Sequence, residues 1–191
     1  MYNVTIIFQE GFMADEKKEP WLNYLALATI LLAVCATLST FKGGGLSTRS
    51  VLAQSKASNQ WAYYQSKSIK GYIYEIQKDK LELELREKRQ KLPPAVIEDY
   101  EKKINMYGDK INKYEDEKAA IEKDARHEEA IRDAAQEHSQ MFGMAVIFLQ
   151  IAILLSSVAA LLKKKPVWVI GLLSGAAGMF YFVNGFMLIS R

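Results

Sequence analysis

Three stretches of this chain carry no charge at all, and each is long enough to cross a lipid bilayer. They are "WLNYLALATILLAVCATLSTF" (Trp21 to Phe41, 21 residues), "MFGMAVIFLQIAILLSSVAALL" (Met141 to Leu162, 22 residues) and "VWVIGLLSGAAGMFYFVNGFMLI" (Val167 to Ile189, 23 residues). A helix rises about 1.5 Å per residue, so each covers the roughly 30 Å hydrocarbon core of a membrane. The mean hydropathy of −0.08 conceals this segregation, because all but four of the acidic residues lie between Phe41 and Met141. The expected fold is an all-α membrane protein with three transmembrane helices. The first span is too long for the core of a signal peptide, and no A-x-A-like cleavage site closes it.

About 100 residues separate the first two spans, and their one prominent break is "LPP" at Leu92–Pro94. Two prolines in a row remove helical donors and restrict the residue before them. The flanking arms, Leu46–Leu92 and Pro94–His138, differ in length by only two residues. Equal arms around a tight turn predict a long antiparallel helical hairpin. The chain then divides into a tail over 1–20, a span over 21–41, an extramembrane hairpin over 42–140 turning at 92–94, a span over 141–162, a basic loop at 163–166 and a span over 167–189. Within the tail, "MADEKKEP" from Met13 reads as a cytoplasmic N-terminus, so residues 1–12 are expected to be an upstream extension.

The second arm has the clearer pattern. Ile97, Tyr100, Ile104, Tyr107, Ile111, Tyr114, Lys118, Ile121 and Ala125 recur at alternating spacings of three and four, the a/d seam of a coiled coil. Acid-to-base pairs at i,i+4, such as Glu122–Arg126 and Asp109–Lys113, add about 0.2–0.5 kcal/mol each. Charge separates the arms: eleven basic and five acidic residues from Lys42 to Leu92, eight and thirteen from Pro93 to Gln140. That asymmetry favours pairing of one arm with the other over pairing with itself.

The first arm holds "NQWAYYQSKSIKGYIYEI", Asn59 to Ile76, too polar for a span and too aromatic for a linker. Trp61, Gln65, Ser68, Ile69, Tyr72, Ile76 and Leu83 share one helical face, which is expected to pack on the second arm. Tyr63, Tyr74, Leu81, Leu85 and Leu92 form a second stripe, expected to face outward and to join copies of the chain into a homo-oligomer. The glycine face of the third span would hold those copies close.

Residues able to carry chemistry are sparse. His127 and His138 are three helical turns apart, about 16 Å, too far to share a metal ion. Cys35 is the only cysteine and lies inside a span, which excludes a disulfide framework or a thiolate cluster within one chain. No catalytic triad, H-E-x-x-H or phosphate-loop motif occurs, so no catalytic, cofactor or metal site is expected. A net charge of +3 gives no reason to invoke nucleic acid. Within the spans, Gln150 and Asn184 are expected to make interhelical polar contacts, because an unsatisfied amide is costly in a bilayer. Gly171, Ser174, Gly175, Gly178 and Gly185 form a small-residue face suited to close helix packing. No charged residue lies within a span, which argues against a proton-coupled carrier.

The residues "WLNYLALATILLAVCATLSTFKGG" and "STRSVLAQSKASNQWAYYQSKSIKGYIYE" resemble a family of bacterial membrane proteins described only as a domain of unknown function. The likeness runs from Met13 to Arg191. It implies an inner-membrane protein of the plan span, hairpin, span, span, and carries over no activity. Lys163–Lys165, Lys17 and Lys18, with Trp21 and Trp168 at the same interface, place the N-terminus in the cytoplasm and the hairpin in the periplasm. Lys42, Arg49, Lys56, Arg126, Arg132 and Arg191 oppose this, but most belong to a long loop, and long loops translocate largely regardless of charge. The expected role is structural or adaptor, with the hairpin meeting another copy or a protein partner. A pore or transporter subunit, with Gln150 and Asn184 facing a polar path, is the alternative; another is a signalling module hinged at "KGGG" (Lys42–Gly45).

Overall fold

The computed structural model describes residues 20–187, and they form three helices: α1 Pro20–Lys88, α2 Pro94–Leu162 and α3 Lys165–Met187. No strand occurs among the described residues. The tail over 1–19 with Lys17 and Lys18, the last residues of the expected third span (188–189) and Arg191 lie outside them. All three helices are long and apolar enough to cross a membrane. The expected first span and first arm lie on one uninterrupted helix, and the Lys42–Gly45 stretch is helical throughout.

Both breaks have local causes. The first falls at 89–93, and α2 restarts at Pro94, a first helical position where a missing N–H costs nothing. Ile97 and Val96 donate to the Pro93 carbonyl, and Lys91 to that of Lys88. The second break is shorter than the expected loop. Lys163 takes φ 51°, and the Lys164 N–H returns to the Ala159 carbonyl at 3.2 Å. This is a Schellman-type cap with lysine where glycine is usual.

The described chain forms two compact units. In Gly45–Glu137, α1 and α2 pack antiparallel: Glu84 meets Tyr100, Lys67 meets Glu117, and Lys56 meets Glu128. The second arm's seam turns inward along its length, with Ile121 and Ala125 buried and Lys118 nearly so. The expected faces of the first arm are reversed. Ile69, Tyr72, Ile76 and Leu83 are exposed, Ile76 to 68%, while Leu85 is 6% exposed. Tyr74, Leu81 and Leu92 are half-buried, and Tyr74 stacks on Tyr114 and packs at a tilt against Tyr107 of α2. Only Tyr63 of that stripe stays exposed. Trp61 does face α2, donating to Glu129 Oε1 at 2.9 Å.

The reason is size. The inner seam of α1 recurs at three, four and seven through Ser50, Ala53, Ala57, Tyr64, Gly71, Tyr74, Leu81 and Leu85, and several of these are small. Bulky rings on α2 need small partners: a Cβ placed on Gly71 would lie 3.9 Å from the Cβ of Tyr114. Small residues add little to an apolar count, so the more hydrophobic stripe looks like the core. All three cross-arm ion pairs among the described residues put the base on the first arm and the acid on the second: Lys56–Glu128, Lys67–Glu117 and Arg89–Glu101, with Arg89 in the turn just past α1.

The other unit, Met1–Gly44 with His138–Arg191, contains three packed helical segments where it is described. Leu32 and Ala36 of α1 pack with Ala145, Leu149 and Ala152 of α2 in its core. The α3 glycines are buried, and a Cβ on Gly178 would stand 2.7 Å from Leu149 Cγ. Those on Gly171 and Gly185 would meet Leu155 and Phe142, and that on Gly175 would meet Leu32. This face is filled within the chain. The expectation that it draws copies together is corrected accordingly.

Candidate functional site

The residues with chemical potential are best considered unit by unit. In the helix pair, Lys67 Nζ lies 2.6 Å from Glu117 Oε2 and 5.1 Å from the Tyr63 ring centroid. Hydrogen bonding to Glu117 raises the Lys67 pKa, and the same contact lowers that of Glu117. Lys118, at a seam position, bonds Glu115 at 2.7 Å and lies 5.6 Å from the Tyr64 ring centroid; Glu115 raises its pKa. Lys67–Glu117 crosses between the arms and helps fix their register, whereas Lys118–Glu115 is an i,i+3 pair within α2. No group of three or more metal-ligating side chains occurs among the described residues.

What the pair leaves over is apolar. Ile69, Tyr72, Ile76 and Leu83 lie at spacings of three, four and seven on the outer side of α1, with Ile73 beside them, all exposed. Burying such a side chain is worth about 1.5–3 kcal/mol. Between Ile69 and Leu83 the charges balance, three basic (Lys70, Lys78, Lys80) and three acidic (Glu75, Asp79, Glu82). A second helix of the same composition would meet no net repulsion there. Arms chosen by apolar count alone hide this surface; adding small residues to the seam pattern would have revealed it.

In the other unit, hydroxyls find backbone partners. Thr29, Thr37, Ser39, Thr40 and Ser157 each donate to the carbonyl four residues earlier. Ser174 Oγ donates across to the Phe148 carbonyl at 2.9 Å, and Ser139 Oγ to that of Gly43 at 3.0 Å. Asn184 is half-buried and directs Nδ2 toward Met141 Sδ at 3.7 Å. Gln150 is exposed on the outer side of α2, with no partner among the described residues. The two amides therefore line no common path within one chain. Trp21 and Trp168 pack at 5.9 Å between centroids, joining the starts of α1 and α3. An open apolar groove of about 430 Å³ lies between α1 and α3, bordered by Ala28, Cys35, Ala176 and Met179.

No curated protein and no solved structure matches the sequence. A family does. Residues 21–188 match the family described as "Domain of unknown function (DUF4337)", a span that takes in all three helices, and the chain belongs to that family.

Proposed function

We propose that this is a multi-pass protein of a bacterial inner membrane, structural or adaptor in role, which presents its helix pair as a coiled-coil hairpin for self-assembly or partner binding. One observation carries the reading: a helix pair with its inner seam filled still exposes the stripe Ile69, Tyr72, Ile76 and Leu83. A helix apolar on two faces usually has two neighbours. A second copy is the favoured occupant, because the local charges balance along that stripe. Membrane residence is supported by three helices that each contain a charge-free stretch of spanning length. The Trp21–Trp168 pair suits a headgroup interface, and the Lys163–Lys165 cluster suits a cytoplasmic turn, with the hairpin periplasmic. The pore reading draws no support from Gln150 and Asn184, which occupy different faces.

The test uses the full-length Cys35→Ala chain carrying Ile76→Cys, oxidised in mild detergent. A disulfide between copies is expected, lost when Ile69→Glu and Leu83→Glu are added while helix content by circular dichroism is kept. If Ile76→Cys is reactive to maleimide yet forms no bond between copies, self-assembly through this seam is wrong.

A further inference from the structure

We infer that the outer face of α2 is a second interface, within the bilayer, through which two copies associate by pairing their Gln150 amides. The inference rests on the membrane reading above and adds the contact surface and its partner. Gly143, Ile147, Gln150, Leu154, Ser157 and Leu161 recur at four, three, four, three and four along this face. All are exposed, Leu154 to 66% and Leu161 to 83%. One edge of the stripe is small or polar (Gly143, Gln150, Ser157) and the other is branched aliphatic. A Cβ on Gly143 would meet nothing within 4 Å, so a neighbouring backbone has room to approach.

Gln150 names the occupant. It lies near the middle of the 22-residue charge-free stretch, where lipid offers no hydrogen bond. Ser157 on the same face satisfies itself at the Ile153 carbonyl, and Asn184 and Ser174 find partners inside the bundle. Gln150 reaches none of these. A primary amide is both donor and acceptor, and so complements itself. A second copy inserted in the same orientation brings the same amide to the same depth. A two-fold axis along the membrane normal then lets each Gln150 carbonyl accept from the other's NH₂. The contact is thus parallel, with Ile147 and Leu154 packing above and below the amide pair.

The test is made on the full chain in liposomes, in a Cys35→Ala background. Single cysteines are placed at Ala145, Ile147, Leu149, Leu154 and Leu161 and oxidised. Disulfide-linked dimers are expected at 147, 154 and 161, and not at the buried 145 and 149. Fluorescence transfer between labelled copies, measured across protein-to-lipid ratios, should show Gln150→Leu weakening association roughly 3- to 30-fold, the range of an interhelical hydrogen bond in lipid. Gln150→Asn should restore part of it. Carbonate extraction is run in parallel. Release of the wild type by carbonate overturns the membrane reading, and this interface with it. Retention of the protein with crosslinks out of phase, no disulfide-linked dimer although the thiols are reactive, or unchanged transfer in Gln150→Leu overturns the Gln150 interface alone.

Discussion

A disulfide between Gly71→Cys and Tyr114→Cys tests the antiparallel packing at one point of contact. The built Cβ of Gly71 lies 3.9 Å from the Cβ of Tyr114. Disulfides span a mean Cβ separation of about 3.8 Å, so the bond needs little backbone movement. It would close a loop of about 44 residues, worth roughly 4 kcal/mol on the chain-entropy account. Against this stands the lost stacking of Tyr114 on Tyr74, about 0.5–1.5 kcal/mol. A net gain of roughly 2.5–3.5 kcal/mol is expected for the helix pair. The double variant, with Cys35→Ala, is oxidised in mild detergent and the link mapped by mass spectrometry of the crosslinked peptides. Thermal unfolding is then followed by circular dichroism with and without reductant. The matched control is Ile76→Cys with Tyr114→Cys, because Ile76 faces away from α2. The assigned register is wrong if the control closes as readily as the test pair, or if the test pair stays open with both thiols reactive.

Two further outcomes follow from close contacts. Gly178→Ala should cost about 1–3 kcal/mol, because its Cβ would overlap Leu149, whereas Gly108→Ala, open on that side, should stabilise by up to about 1 kcal/mol; thermal unfolding of the two variants compares them. The Glu117 carboxylate, held below its usual range by Lys67, contributes stability that is full above the ordinary glutamate value and lost as pH falls through the lowered one. Thermal stability of the helix pair should therefore decline on acidification in that window, and Glu117→Gln should flatten this part of the profile.

Long-range organisation was legible wherever one physical signal dominated. Freedom from charge over more than twenty residues marked the three helical stretches long and apolar enough to cross a membrane. Two prolines marked the turn, and the isoleucine and tyrosine repeat marked the inner face of α2. The inner face of α1 was not legible by the same rule. Its seam is made of Ala53, Ala57 and Gly71, which matter because they yield space, whereas Ile69 and Ile76 score highly and lie outside. The polar groups divided similarly. An amide within a span predicts that a partner is needed, but not on which side of the helix. Asn184 turns toward Met141, while Gln150 turns away from its own bundle, a distinction set by a helical phase that polarity does not encode.

The unbroken passage of α1 through Gly43, Gly44 and Gly45 has an energetic consequence. Each helical glycine gives up about 1 kcal/mol relative to alanine, so roughly 3 kcal/mol of intrinsic helix preference is surrendered in less than one turn. Only Gly43 has a steric reason to be glycine, since its Cβ would crowd Phe142 at 3.1 Å; Gly44 and Gly45 open onto empty space. At two of the three, then, the weaker helix preference is not offset by a close approach that a Cβ would block. On intrinsic helix preference alone, opening a turn at these glycines costs less than in the leucine- and alanine-rich turns of residues 25–36.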